Sequence, residues 1–369
     1  MSMNSVYKEL YRKLTVTPTG APSGEKFIEI LKILFTPEEA ELAVVLPFMP
    51  TPLSEIAAGV GMSESETEKK LSKMADKGLV YGFKARGTPM YLLFSVVWTI
   101  FKFPLMSNVS DVDYDRLRLL WKEYLAEGLG GDGTPVPGEK QLPMGRVLPV
   151  QENLSPSSKV LPQDLVYSFI DEAEYISVGE CSCKKTVGGC DSPSEVCMGL
   201  GHEARYLVSR NLARRIDREE AKEIHRKAVE AGLVSVTSNI KEKINLICHC
   251  CPCCCAQLGV ATRHGRYDLA PQGAFYASVD QGECTACGSC VDACPMKAIE
   301  IVDTATVDLE KCIGCGLCVS ACPSESIVLF AKTPPPEVPK NIMEWTEKAV
   351  QVRGVADEFV KELRVRSKK

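Results

Sequence analysis

The stretch from Cys248 to Gly259 reads CHCCPCCCAQLG and holds six cysteines within eight residues. Adjacent cysteines cannot all pair as disulfides without severe strain. A packing role is also poor, because Leu or Val fills a core without the risk of oxidation. These residue types therefore indicate metal or redox chemistry in this stretch.

Two further cysteine motifs repeat each other closer to the C-terminus. They are Cys284-x2-Cys287-x2-Cys290-x3-Cys294-Pro295 and Cys312-x2-Cys315-x2-Cys318-x3-Cys322-Pro323. Three thiolates on such a tight loop can reach three iron corners of one cubane, and the fourth, displaced by the extra residue and the proline turn, reaches the other cubane. Gly288 and Gly316 would let the backbone wrap closely around each cluster. A pair of structural zinc sites is the alternative, although zinc ligands usually come as separated pairs.

This repeat resembles a bacterial-type dicluster ferredoxin domain, and the resemblance implies two 4Fe–4S clusters in residues 275–332. It implies that the ligands of one cluster are Cys284, Cys287, Cys290 and Cys322. It implies that the ligands of the other cluster are Cys312, Cys315, Cys318 and Cys294. The segment holds eight acidic and three basic residues, which suggests an acidic carrier that docks on a basic partner face. An ordinary solvated surface explains this charge equally well.

Ten cysteines remain, in two stretches upstream of this domain. The stretch CSCKKTVGGCDSPSEVC holds Cys181, Cys183, Cys190 and Cys197, and the opening stretch holds Cys248, Cys250, Cys251, Cys253, Cys254 and Cys255. Neighbouring thiolates repel one another unless a cation neutralises them, so a subset is expected to hold one or two additional iron–sulfur clusters. A single zinc site with loose cysteines is the alternative, and the pattern does not show which thiols bind.

Three polar residues lie among these cysteines. We expect His249 to be a hydrogen-bond donor to a ligand rather than a ligand itself. Lys184 and Lys185 are expected to be solvated, although either could donate to cluster sulfurs.

The composition is that of an ordinary globular chain apart from 18 cysteines in 369 residues, and the net charge of −5 argues against a generic nucleic-acid binder. The start MSMNSVYKELYRK lacks the apolar core and cleavage site of a signal peptide. The longest apolar run, residues 91–101, is too short to span a bilayer. We therefore expect no transmembrane segment and a reducing cytoplasm, where clustered cysteines are more often metal ligands than disulfides.

The pattern along the chain predicts an α+β, multidomain protein. In residues 1–106, helices are followed by a helix–turn–helix and a hairpin, and this order resembles the winged-helix family. The further predicted parts are a helix with a Pro/Gly-rich connector (107–165), a Cys-rich α/β middle domain (166–274), the ferredoxin-like dicluster domain (275–332) and a helical tail (333–369).

The candidate recognition helix of the winged-helix-like domain does not suit DNA. Its first turns carry Glu64, Glu66 and Glu68, whereas DNA readers present Arg, Lys, Asn or Gln there. Residues 1–100 hold eleven basic and eleven acidic residues, so this domain lacks the excess of basic residues that is typical of DNA-binding domains. We expect protein contact or a structural role for this domain, and no nucleic-acid binding.

The order of all these motifs resembles a loosely characterised group of 4Fe–4S binding proteins from anaerobic bacteria and archaea that share a winged-helix-like N-terminal domain. Pro252 stands where that group has glycine, and it restricts Cys251. We predict an iron–sulfur electron-transfer protein that passes single electrons between redox partner proteins, as a carrier or as a subunit of an anaerobic oxidoreductase complex. Two alternatives are a redox-sensing winged-helix transcription regulator and an oxidoreductase whose upstream cluster binds substrate. No nucleotide-binding loop or hydrolase signature appears, and no catalytic residue is predicted.

Overall fold

A computed structural model describes residues 3–21, 25–94, 97–127, 142–150 and 165–364. Within these ranges, helices combine with four separate sheets, which confirms the predicted α+β class. In this described part, no helix is both long enough and apolar enough to cross a membrane.

The N-terminal part is mostly helical and carries a small antiparallel sheet with the strand order β1-β3-β2. Its elements are α1 (Met3–Thr15), α2 (Glu25–Leu34), α3 (Pro37–Val45), β1 (Thr51–Pro52), α4 (Leu53–Val60), α5 (Glu64–Asp76), β2 (Val80–Ala85), β3 (Thr88–Leu93), α6 (Val97–Lys102) and α7 (Tyr114–Glu127). Helix α5 begins at Ser63, whose hydroxyl accepts the Glu66 N–H at 3.3 Å. Arg86 and Gly87, both with positive φ, form the tight turn of the β2–β3 hairpin.

The middle part is built on a six-stranded antiparallel sheet with the order β4-β8-β9-β6-β5-β7. Its elements are β4 (Gly145–Leu148), α8 (Val166–Glu172), β5 (Ile176–Glu180), α9 (Ser182–Val187), β6 (Glu195–Leu200), α10 (Gly201–Ser209), β7 (Arg214–Ile216), α11 (Arg218–Glu230), β8 (Val234–Ser238), β9 (Leu246–Cys250) and α12 (Ala256–His264). Of the predicted connector, residues 128–141 and 151–164 lie outside the described residues. Because the piece between them supplies the edge strand β4, part of that connector belongs to the sheet.

The segment with the repeated motifs forms two small antiparallel pairs, β10–β13 and β11–β12. Its elements are β10 (Phe275–Val279), α13 (Ser289–Ala293), β11 (Ile299–Ile301), β12 (Ala305–Val307), α14 (Leu317–Ser320) and β13 (Ile327–Ala331). Gly288 (φ 82°) and Gly316 (φ 83°) precede the two short helices in the left-handed conformation. A Cβ on Gly316 would lie 3.0 Å from Leu329, whereas a Cβ on Gly288 would meet nothing within 4 Å, so of the two only the Gly316 backbone packs closely against the core.

The C-terminal segment forms α15 (Ile342–Val352) and α16 (Ala356–Lys361), which pack across the rest of the chain. Trp345 is buried and its indole N–H donates to the Pro143 carbonyl at 3.1 Å, beside the large sheet. Phe359 stacks on Phe48 of the N-terminal part, with ring centroids 5.8 Å apart. The tail therefore holds the middle and N-terminal parts together.

The N-terminal part and the large sheet share one hydrophobic core. Tyr206 of α10 is buried, and its hydroxyl donates to the carbonyls of Ala75 at 3.1 Å and Val80 at 2.9 Å. From α9, the hydroxyl of Ser182 donates to the Lys102 carbonyl at 2.6 Å. Cysteines of the middle part belong to the same core as the apolar residues of α1 to α7, so the N-terminal part forms a wall of the Cys-rich region.

Candidate metal centres

The eight cysteines of the repeated motifs surround two cavities. One cavity is lined by Cys284, Cys287, Cys290 and Cys322. The other is lined by Cys294, Cys312, Cys315 and Cys318. Each cavity thus receives three thiols from one loop and a fourth from the other loop, which is the grouping that the ferredoxin resemblance implies.

The surroundings of these cavities fit iron–sulfur clusters. Backbone N–H groups donate to sulfur at 3.3 Å from Ala298 to Cys294 and at 3.4 Å from Ala305 to Cys284. Such N–H···S contacts stabilise the charge of a cluster and tune its potential. Burial raises the pKa of the Cys315 thiol to about 12, so a thiolate at this position requires a bound cation.

The register of the large sheet organises the upstream cysteines. Cys248 and Cys250 lie two residues apart on β9, so they point to the same face of the sheet. Cys197 on β6 lies directly opposite Cys248 and shares that face. His249, between the two cysteines, points to the other face.

A first upstream group, the buried thiol group, consists of Cys181, Cys183, Cys197, Cys248, Cys250 and Cys255, of which Cys181 and Cys248 are only partly buried. Its thiols form a chain of neighbouring pairs. Neighbouring Cys181 and Cys255 thiols, together with burial, hold the pKa of Cys183 well above its usual value. The pKa of Cys250 is raised in the same way by Cys248 and Cys255, and that of Cys197 by Cys248. Such a chain of neighbouring thiols in a largely buried region is typical of a metal or cluster site.

Lys102 from the N-terminal part is buried beside this group. Its ammonium lies 3.3 Å from Glu203, which also accepts from the Asn245 side chain at 2.6 Å. Burial alone would lower the pKa of Lys102, but the thiolates of Cys197 and Cys248 and the Glu203 carboxylate outweigh this and hold that pKa above its usual value. Lys102 is thus a fixed positive charge beside the thiols. Nothing in its local sequence indicates this role, since its partners lie in a different part of the chain.

A second upstream group, the loop thiol group, consists of Cys190, Cys251, Cys253 and Cys254, whose sulfur atoms all lie within 4.8 Å of one another. The sulfur–sulfur distances are 3.7 Å for Cys190–Cys251, 3.8 Å for Cys190–Cys253 and 3.7 Å for Cys253–Cys254. Cys251 and Cys254 are buried, whereas Cys253 is exposed at the surface. The ten upstream cysteines therefore divide into a group of six and a group of four.

The polar residues among the cysteines differ from the expectations. His249 is buried and engages His225 at 3.0 Å through one ring nitrogen and the Val196 carbonyl at 3.0 Å through the other. Both ring nitrogens therefore face away from the thiols, and the expected donation to a metal ligand is wrong. Lys184 is only 6% exposed and donates to the Pro193 carbonyl, so the expected solvation is also wrong for Lys184. Lys185 lies 2.5 Å from Glu180.

A comparison with known protein families supports the cluster chemistry. Residues 283–326 match the model of a 4Fe–4S dicluster domain. No curated protein matches the chain. Together with the clustered cysteines, the family match shows that the protein carries multiple 4Fe–4S clusters and has an iron–sulfur electron-transfer role.

Combined substitutions test the crossed grouping of the eight cysteines. We expect Cys284→Ala to lower the iron content by about four atoms per chain, because one cubane is lost. Adding Cys322→Ala should remove no further iron, since both thiols line the same cavity. Adding Cys294→Ala instead should bring the loss to about eight atoms, because the second cubane is also lost. Iron and sulfide assays on anaerobically purified full-length protein measure this, and equal losses for the two double variants would contradict the grouping.

Proposed function

We propose that this protein passes single electrons between redox partner proteins through its ferredoxin-type clusters and an upstream iron–sulfur centre, as a carrier or as a subunit of an anaerobic oxidoreductase complex. The two cavities of the dicluster segment carry this proposal. Cys290 on α13 lines one cavity, and Cys294 at the end of the same helix lines the other. Four helical residues span about 6 Å, so the two clusters would be close enough for rapid electron transfer.

The proposed ligands of these clusters are the cysteines that line the cavities: Cys284, Cys287, Cys290 and Cys322 for one, and Cys312, Cys315, Cys318 and Cys294 for the other. When bound, each cluster would supply a one-electron couple. The protein provides the thiolates, the N–H donors to sulfur and the apolar walls that exclude water. Because clustered cysteines are more often metal ligands than disulfides in a reducing compartment, a reducing cytoplasm is the compartment that suits the chain.

Cys287 marks the proposed point of electron exchange. Its side chain is exposed, whereas Cys290, Cys312 and Cys318 are buried. The dicluster segment carries a net charge of −5, and Asp280 and Glu283 close to Cys287 in the chain are exposed. We infer that a redox partner docks here through a basic face.

We propose that the N-terminal part has a winged-helix-like fold. It would cover one side of the Cys-rich region and contact a partner protein. The order α4, α5, β2, β3 supports the fold. The exposed start of α5 carries Glu64, Glu66 and Glu68, which would repel DNA phosphates. Arg210 of the middle part also binds α5, donating to Ser72 at 2.9 Å and to Asp76 at 2.8 Å. A helix whose side is occupied in this way is poorly placed to enter a major groove.

The docking proposal is tested with a basic c-type cytochrome as the electron acceptor. We expect electron transfer from the dithionite-reduced protein to be fastest at low ionic strength, and Asp280→Asn/Glu283→Gln to slow it roughly severalfold there, because two attractive charges are lost. The matched control is Glu219→Gln/Glu230→Gln on α11, whose exposed carboxylates lie outside the dicluster segment. Stopped-flow absorbance measures the rates. A protein whose clusters reduce no acceptor would refute the function, whereas equal rates for both variants would refute only the docking face.

A second candidate function is an oxidoreductase whose upstream centre binds a small molecule. A pocket beside Lys102 favours it, because Lys102, Glu203 and Asn245 lie among otherwise largely apolar lining residues. A few convergent polar groups in an apolar pocket would suit a small substrate with a polar group. Cyanide, a ligand of accessible iron, is the probe. A change of the upstream cluster's electron paramagnetic resonance (EPR) spectrum that Lys102→Met alters would support this function, and an unchanged spectrum would exclude an accessible iron.

A further inference from the structure

Three of the six sulfur–sulfur distances in the loop thiol group match those around a single tetrahedral ion, and all six are within 4.8 Å. Four thiolates at ~2.3 Å from one zinc ion form a tetrahedron with edges of about 3.8 Å. The distances of 3.7, 3.8 and 3.7 Å found here agree with that edge. In a cubane each cysteine binds a different iron, so the four sulfurs must stand further apart.

The other cysteines of the same chain provide an internal comparison. Within the described residues, no three of the ferredoxin thiols come within 4.8 Å of one another, and the same holds for the buried thiol group. The ferredoxin thiols instead stand apart around two cavities. The compactness of the loop thiol group is therefore specific to that group.

We propose that Cys190, Cys251, Cys253 and Cys254 bind one tetrahedral metal ion, as in a structural zinc site, and not a sulfide-bridged cluster. Four-thiolate tetrahedral sites select zinc or a single iron, and zinc is expected because such closed sites without an open position are typical of structural zinc. The proposal does not depend on the electron-transfer function.

The backbone around the loop thiol group is shaped for such a site. Cys190 follows Gly188 and Gly189, both with positive φ (71° and 66°), so a tight glycine turn carries this thiol to the other three. The other three lie on a turn that contains Pro252, which fixes the backbone there. Two distant loops, after α9 and after β9, are thus joined at one point.

Arg263 on α12 stabilises the turn that carries Cys251, Cys253 and Cys254. Its guanidinium donates to the carbonyls of Pro252 at 3.0 Å and Cys253 at 3.2 Å. The side chain lies over Gly259, where a Cβ would meet its Nη2 at 2.0 Å, so a larger residue would displace it. Four thiolates around a divalent ion leave two negative charges, which this guanidinium partly offsets.

The ion would lie directly beside the buried thiol group. Cys250 and Cys251 are adjacent in the chain, as are Cys254 and Cys255, and in each pair one thiol belongs to each group. The run of six cysteines therefore serves two separate sites.

The experiment compares two double variants of the full-length protein, purified without oxygen. Metals are counted by mass spectrometry together with acid-labile sulfide. We expect the wild type to hold one zinc per chain besides iron, and Cys190→Ser/Cys253→Ser to lose that zinc while iron and sulfide are unchanged. The matched control is Cys284→Ser/Cys287→Ser, which also removes one exposed and one partly buried thiol. It should lose iron and sulfide and keep the zinc.

X-ray absorption spectroscopy at the absorption edge of the bound metal is also measured on the wild-type protein. This measurement does not depend on whether the variants fold. Four sulfur ligands at about 2.3 Å with no neighbouring metal support the site. A single-iron Mössbauer signal that the Cys190/Cys253 variant lacks would also support it, with iron as the ion. Loss of iron and sulfide together in that variant, or a wild type without any single-ion signal, would overturn the proposal.

Discussion

The burial of thiols beside Lys102 is the constraint on which the rest of the structure depends. Cys183 and Cys197 are buried in the core shared with the N-terminal helices, and Cys250 and Cys255 are buried in the core shared with the dicluster segment. Uncompensated thiolates in such a place would cost several kcal/mol each, by the usual penalty for buried charge. Lys102 offsets part of this charge, and a bound metal centre, as proposed above, would offset the rest. Folding of this region and metal binding should therefore be coupled.

This constraint explains why the N-terminal part is fused so closely to the sheet. Lys102 must be held in one place, and its carbonyl accepts from Ser182, next to Cys181 and Cys183. Hydrogen bonds from the Tyr206 hydroxyl link α10 to Ala75 near the end of α5 and to Val80 at the start of β2. An independent domain on a flexible tether could not position a buried ammonium to within hydrogen-bond distance of Glu203.

The sequence predicted those features that depend on neighbouring residues. The resemblance of the repeated loops to a dicluster ferredoxin implied the grouping of the eight cysteines, and the resemblance is visible because each ligand loop is local in the sequence. The cap of α5 at Ser63 and the hairpin turn at Arg86 are local in the same sense, since each depends on residues only a few positions away.

The division of the ten upstream cysteines could not be predicted from the sequence. It depends on the register that sets Cys197 opposite Cys248 and on the turn that brings Cys190 to Cys251. Sheet register between distant strands is decided by the whole core and not by a motif. Lys102 and His225 were missed for the same reason, since their partners Glu203 and His249 are distant in the chain.

The central claim is that the upstream cysteines form a polynuclear iron–sulfur centre separate from the ferredoxin-type clusters. The most direct measurement is the iron and sulfide content of a full-length variant with serine at all eight ferredoxin-type cysteines, purified without oxygen. The account predicts a protein with the wild-type circular dichroism of the upstream part that retains about four irons or more with matching sulfide, as one bound cubane requires. A variant that is folded but contains neither iron nor sulfide would contradict it.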